Sequence, residues 1–134
     1  MPGNFFDSNV LLYIASRDPT KADRAERLLR DGGAISVQVL NEIANVGRRK
    51  MRMSWSELHG FLSLLRDLTT VHAITLPIHE TGLAVAERHN LSIYDGMIAA
   101  SALHADCDAL CSEDLQHGAV IGGRLRIVNP FRRL

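Results

Sequence analysis

The chain has 134 residues, of which 46% are hydrophobic and 22% are charged, with fifteen acidic and fifteen basic side chains. This length and composition are typical of one folded globular domain, which we expect to span residues 1–134. A net charge of zero argues against charge-driven binding of nucleic acid by the whole protein, so a polyanion would have to meet a local basic patch.

The sequence gives no sign of export or membrane insertion. No basic segment followed by an apolar stretch opens the chain, and no apolar run has the length of a membrane span. We therefore expect a cytoplasmic protein without a membrane partner. Cys107 and Cys111 are predicted to be reduced thiols in or near the core, because no second Cys/His pair completes a zinc spacing.

In the first half of the chain, apolar spacing predicts strands and helices in alternation. The predicted strands lie near residues 4–7 and over 34–36, and the predicted helices lie over 10–15, from a Thr20 cap to Gly32, and over 37–46. In the second half, Ser54 and Glu57 match a capping box that opens an apolar helix. Further predicted elements are a strand over 71–76, a helix from Pro77 to His89, a small-residue helix over 98–103, and strands over 109–112 and 125–128.

Strands that alternate with helices favour a parallel sheet covered on both faces. We therefore predict an α/β fold, a three-layer α/β/α sandwich around a central, mostly parallel sheet of about five strands. Four carboxylates follow or adjoin these strand-like runs: Asp7, Glu42, Asp95 and Asp114. Because ligands bind at the carboxyl ends of strands in such sheets, the four acids are predicted to converge. Each alone also has an ordinary interpretation as a helix cap, a first-turn acid, a solvated residue or a turn residue.

Clustered acids repel one another, and a divalent cation removes that penalty. Mg²⁺ and Mn²⁺ prefer oxygen ligands and usually keep waters, which leaves positions open for substrate phosphate. A site of this kind performs phosphodiester hydrolysis.

Five segments, taken in order, resemble a PIN-domain protein, and within that group a VapC-type toxin of bacterial toxin–antitoxin pairs. The segments are Phe6–Leu11, Ile35–Glu42, Tyr94-Asp95, Ser112–Gly118 and Asn129–Phe131. The resemblance extends from residue 4 to 131 and implies a Mg²⁺- or Mn²⁺-dependent endoribonuclease whose catalytic acids are Asp7, Glu42, Asp95 and Asp114. It implies direct metal binding by Asp7 and Asp95, with Asp114 and Glu42 binding directly or through water. Two polar residues are implied to support these acids, Asn9 and Ser112.

The resemblance also implies an RNA substrate, a cognate antitoxin and a homodimer. The basic run Arg48, Arg49, Lys50 and Arg52 is a candidate for holding RNA phosphates, although cations at a helix C-terminus are equally well explained by the helix dipole. An apolar stripe is either a surface that receives the antitoxin or part of the core: Trp55, Leu58, Phe61, Leu62 and Leu65. Most aromatic residues fall in core patterns, so no stacking platform for single strands is predicted.

Two alternatives use the same sequence features. A metal-dependent DNA nuclease acting on single strands or flaps would need the same acids. A catalytically silent PIN binding module usually lacks one or more of them, whereas all four are present here.

Overall fold

A six-stranded sheet organises residues 3–132, the part of the chain that the computed structural model describes. Its strands are β1 (Asn4–Phe6), β2 (Ala34–Ser36), β3 (Thr70–His72), β4 (Ala109–Cys111), β5 (Val120–Ile121) and β6 (Leu125–Val128). The helices are α1 (Ser8–Leu12), α2 (Pro19–Arg30), α3 (Val37–Arg49), α4 (Trp55–Leu68), α5 (Leu76–His89) and α6 (Ile93–His104), with a 3-10 turn over Tyr13–Ala15. None of these helices is long and apolar enough to cross a membrane.

The strand order is β3-β2-β1-β4-β6-β5, and every pair is parallel except β5 with β6. After β1 the chain passes to β2 on one side, whereas β4 joins β1 on the other side. The sheet therefore has a switch point between β1 and β4, where ligands bind outside the carboxyl ends of the strands in open α/β sheets. The predicted α/β sandwich with a mostly parallel sheet is confirmed.

The structure corrects several predicted boundaries. The strand predicted over 71–76 is shorter, because the Thr75 hydroxyl accepts a hydrogen bond from the backbone N–H of Ile78 (3.3 Å) and caps α5. Helix α2 begins at Pro19 rather than after Thr20, since Asp18 is its N-cap. About five strands were predicted and six are described, because β5 has only two residues and gives no readable alternation.

Helices α5 and α6 pack in unusually close contact through two glycines. A Cβ at Gly96 would clash with the carbonyl oxygen of Gly82, and a Cβ at Gly82 would lie 2.5 Å from the sulfur of Met97. Residues 96–103 of α6 are all buried, so this helix is fixed at the centre of the packing. The first turn of α6 carries Asp95, whose position therefore depends on this contact.

The apolar stripe of α4 divides between core and surface. Leu58 and Leu65 are buried, as the core interpretation predicted, while Phe61 and Leu62 are half-buried. Trp55 is 60% exposed, so at this residue the surface interpretation holds rather than the core one. Tyr94 is a second exposed aromatic residue. Both cysteines are buried and form no disulfide within residues 3–132.

Candidate active site

Asp7 lies at the switch point of the sheet, immediately after β1. Its backbone N–H donates to the carbonyl oxygen of Cys111 (2.9 Å), which extends the pairing of β1 with β4 by one residue. Its backbone is extended, and its side chain caps α1. The residue is only 4% exposed, so this carboxylate is among the few buried ionisable groups of the fold.

Three neighbours hold the Asp7 carboxylate in place. Its Oδ1 accepts a hydrogen bond from the backbone N–H of Ser8 (2.7 Å), and its Oδ2 accepts from the Ser112 hydroxyl (2.8 Å) and from the Asn9 amide (3.3 Å). The supporting positions predicted for Asn9 and Ser112 thus contact Asp7 directly. Ser112 follows β4, so the strand next to β1 supplies this donor.

Glu42 is joined to Asp7 through a serine that the sequence did not single out as a bridge. The Ser8 hydroxyl lies 2.7 Å from Glu42 Oε1 and 3.4 Å from Asp7 Oδ1, and Gln38 donates to Glu42 Oε2 (3.0 Å). Glu42 lies in the second turn of α3 and is half-buried. The bridge therefore holds two acids from distant segments beside each other.

Asp95 is the third acid near this point. It is half-buried in the first turn of α6, where its backbone N–H donates to the Ser92 hydroxyl (3.1 Å). The pKa of Asp7 is raised to about 6 overall, chiefly by burial and also by the charges of Glu42 and Asp95, against the lowering effect of the Ser112 hydrogen bond. Three of the four predicted acids are thus electrostatic neighbours.

Asp114 is the most exposed of the four predicted acids. It is exposed in the loop after β4, two residues beyond Ser112, whose hydroxyl accepts from the Leu115 backbone N–H (3.3 Å). Asp114 is not among the charged neighbours that raise the pKa of Asp7, which are Glu42 and Asp95. It lies at the same end of the sheet, in the loop that begins with Ser112.

Glu113 takes part in a network that sequence reasoning missed. Its carboxylate accepts from Lys21 Nζ (2.6 Å) and from the Tyr13 hydroxyl (2.6 Å), while its backbone N–H donates to Asn9 Oδ1 (3.1 Å). Burial acts to raise the pKa of Glu113, but the bonds from Lys21 and Tyr13 lower it overall. These contacts tie the loop after β4 to α1 and α2 and hold Asn9, which in turn contacts Asp7.

The cluster suits a hard cation bound through few protein ligands. Across residues 3–132, no group of three or more His, Cys, Asp or Glu side chains lies close enough to bind one ion directly. Mg²⁺ is commonly held by one or two carboxylates and keeps several waters, so Asp7 and Asp95 would be sufficient. The oxygen-only donor set matches Mg²⁺ or Mn²⁺ rather than zinc.

The four predicted RNA-binding cations lie outside this cluster. Arg48 and Arg49 end α3, Lys50 is its C-cap, and Arg52 lies in the following turn. All four are exposed. No acid within the described range forms an ion pair with them.

The fold and the acid cluster together define a PIN domain. The chain belongs to the PIN domain family, which it matches over residues 5–120. Among solved structures it is similar to a chain of a toxin–antitoxin complex from Klebsiella pneumoniae, with 20% identity and a TM-score of 0.73 over 96% of this chain and 98% of that chain. It is also similar to the sarcin-ricin-loop-cleaving VapC toxin of Mycobacterium tuberculosis, with 17% identity and a TM-score of 0.68 over 84% of this chain and 92% of that one.

A third similar structure is DNA-bound VapBC from Salmonella typhimurium, with 16% identity and a TM-score of 0.66 over 95% of this chain and 98% of that chain. No curated protein matches the sequence. The predicted resemblance to PIN-domain proteins is confirmed, and at these identities the structural similarities show the fold.

Proposed function

We propose that this protein is a Mg²⁺- or Mn²⁺-dependent endoribonuclease and the toxin of a toxin–antitoxin pair. The observation that carries the proposal is the buried Asp7 carboxylate, flanked by Glu42 and Asp95 at the switch point of the sheet. Membership of the PIN domain family and similarity to toxin–antitoxin structures support it.

The acids of the cluster have different proposed roles. Asp7 and Asp95 would hold the ion, and Asp114 would complete the ligand set through water. A bound ion would neutralise negative charge on the phosphoryl oxygens and on the leaving oxygen. Glu42, held by Ser8, orients the attacking water.

The polar neighbours of Asp7 act by orientation. Ser112 and Asn9 donate to the same oxygen, Oδ2, and the Ser8 backbone N–H donates to Oδ1. Both carboxylate oxygens are therefore fixed in direction before any ligand arrives. Such preorganisation lowers the cost of arranging a metal site.

The proposed partners are a cognate antitoxin and a second copy of the chain. Similar structures include complexes of toxin with antitoxin, which supports the first. A small neighbouring gene that encodes a DNA-binding protein would agree with it, and size-exclusion chromatography with light scattering would test the homodimer. We also propose a cytoplasmic location, as the sequence analysis expects.

The decisive experiment is sequencing of RNA 5′ ends after brief expression, with Asp7→Asn and Asp95→Asn as inactive variants and Asp67→Asn as the matched control. Asp67 is an exposed acid on α4, away from the cluster, so its variant should cleave like the wild type. New RNA ends should appear with wild type and Asp67→Asn and be absent with the other two. Equal cleavage by all four proteins would contradict the site assignment.

The purified protein should also be offered single-stranded RNA and single-stranded DNA of the same sequence, with Mg²⁺ or Mn²⁺. Cleavage of RNA alone is expected. Cleavage of DNA in preference to RNA would contradict the ribonuclease proposal and support the alternative, a metal-dependent DNA nuclease.

A further inference from the structure

The turn between α3 and α4 carries an exposed surface in which cations surround an aromatic ring. We call it the α3–α4 turn surface, formed by Arg48, Arg49, Lys50, Arg52 and Trp55. All five residues are exposed, and Trp55 is 60% exposed although it is the largest apolar side chain available. A single exposed apolar residue is ordinary on a globular surface. An aromatic ring among four exposed cations is the combination that binds single-stranded nucleic acid.

The ring of Trp55 is held in a defined orientation. The guanidinium carbon of Arg48 lies over it, 4.2 Å from the ring centroid, and Arg48 Nη1 donates to the carbonyl oxygen of Met53 (2.7 Å). His59, one turn later on α4, has its ring centroid 6.2 Å from that of Trp55 with a 30° tilt. The indole is therefore preorganised by a cation while much of its area stays open to solvent.

The cations of this surface form no ion pair in the described part of the chain. Elsewhere Lys21, Arg27, Arg30 and Arg124 each pair with an acid, but within residues 3–132 no such pair involves the four cations of the α3–α4 turn surface. The helix dipole accounts for cations in the last turn of α3, but its effect does not extend to Arg52 beyond the helix. Nor does it account for an exposed tryptophan.

One face of α3 links this surface to the acid cluster. Asn45 lies three residues after Glu42, and Arg49 lies four residues after Asn45. The three side chains therefore lie along the same side of the helix. The seven residues from Glu42 to Arg49 correspond to about 10 Å along the helix axis. Asn45 and Arg49 are both exposed, so an open polar path leads from Glu42 to the cations.

We propose that the α3–α4 turn surface binds a single-stranded segment of the RNA substrate, with a base stacked on Trp55 and phosphates bound by Arg49, Lys50 and Arg52. This rests on the proposed ribonuclease function. Every base presents a flat π face to an aromatic side chain, and cations beside it track the backbone. A stacked base would cover the open face of the indole while the adjoining phosphates meet the cations, so one RNA segment would occupy the whole surface.

The chain offers a direct probe, because Trp55 is its only tryptophan. Titration of the full-length protein with a single-stranded RNA of about twelve nucleotides, within the range of known single-strand site sizes, is done in EDTA to prevent cleavage. Stacking should quench the intrinsic fluorescence with a saturable dependence on RNA. The affinity, followed in parallel by anisotropy of a labelled RNA, should fall as salt rises.

Variants then separate stacking from charge. Trp55→Ala should weaken RNA binding about tenfold, as expected for loss of one stacked base, whereas Trp55→Phe should keep most of the affinity. A double variant, Lys50→Glu with Arg52→Glu, should bind RNA more weakly. Its RNA affinity should also depend less steeply on salt concentration than that of the wild type. Arg66→Glu is a charge-reversal control at an exposed cation three turns along α4, and it should bind RNA like the wild type.

Each outcome bears on the proposal. Circular dichroism and urea unfolding confirm that every variant is folded before its affinity is interpreted. RNA binding that neither quenches Trp55 nor changes in Trp55→Ala would overturn the stacking role while leaving the ribonuclease proposal intact. No RNA binding by the wild type, together with no cleavage when metal is present, would overturn both.

Discussion

Substitution of Asp7 by Asn should stabilise the metal-free protein at neutral pH. Asp7 is buried, and two other acids repel its charge, so its pKa is raised from 3.8 to about 6. A group whose pKa is higher in the folded than in the unfolded state contributes stability below its unfolded pKa and loses it as pH rises through the folded value. The wild type should therefore lose stability across the range from about pH 4 to pH 6.

The magnitude follows from the two pKa values. A rise of this size corresponds to about 3 kcal/mol in the free energy of unfolding over the full range, at about 1.4 kcal/mol for each pKa unit. Between about pH 4.5 and pH 7.5 the expected loss is about 2 kcal/mol, because part of the effect lies below that window. The Asn9 amide would meet a second amide donor in Asp7→Asn, which reduces the gain at neutral pH.

The assay is urea unfolding of wild type and Asp7→Asn in EDTA at several pH values. Taking the difference between the two proteins removes the contribution of the histidines and of other acids, which both share. The difference should favour Asp7→Asn increasingly as pH rises and level off above about pH 7. If the difference in unfolding free energy between the two proteins stays constant with pH, the pKa of Asp7 is not raised. If the difference moves in favour of the wild type as pH rises, Asp7 has a cationic partner.

Three further predictions concern the same region. Gly96→Ala should destabilise the fold by about 3 kcal/mol or more in urea unfolding, because a backbone carbonyl of Gly82 cannot move away from the new Cβ; a loss below about 1 kcal/mol would contradict this packing. Ser112→Ala should raise the pKa of Asp7 further, since the Ser112 bond lowers it, as measured by carbon-13 NMR of the carboxyl groups; an unchanged titration would argue against that bond. Mg²⁺ should raise the melting temperature of the wild type more than that of Asp95→Asn, and equal shifts would exclude Asp95 as a ligand.

Local signals in the sequence were sufficient for most of the fold. The capping box of Ser54 and Glu57 is formed as predicted, with both reciprocal hydrogen bonds. Helices and strands alternate as their apolar spacing indicated, which is enough to predict a parallel sheet. Boundaries failed where a capping residue competed with a strand pattern, as at Thr75, because one side-chain hydrogen bond decides where a helix begins.

The individual hydrogen bonds between distant segments were not predictable, although the convergence of the acids was expected. Ser8 and Glu42 meet because β1 and β2 are neighbours in the sheet, and the order of strands leaves no mark in a single sequence. The bond between Lys21 and Glu113 spans 92 residues and has no motif. Trp55 shares helical spacing with Leu58 and Leu62, so periodicity alone left core and surface open for it. It is the first residue of α4 and is exposed.

The choice of an acid at position 7 is itself informative about function. A helix cap alone could be Asn or Ser, which cap as well and carry no charge. Asp7 instead places a buried carboxylate beside Glu42 and Asp95, and no Lys or Arg within the described chain forms an ion pair with it. Its neighbours are neutral donors, which orient a carboxylate without neutralising it. Burial and the repulsion from Glu42 and Asp95 therefore destabilise the ionised Asp7, and a bound cation would remove that cost. We expect metal binding to stabilise the protein most strongly at pH values where Asp7 is ionised.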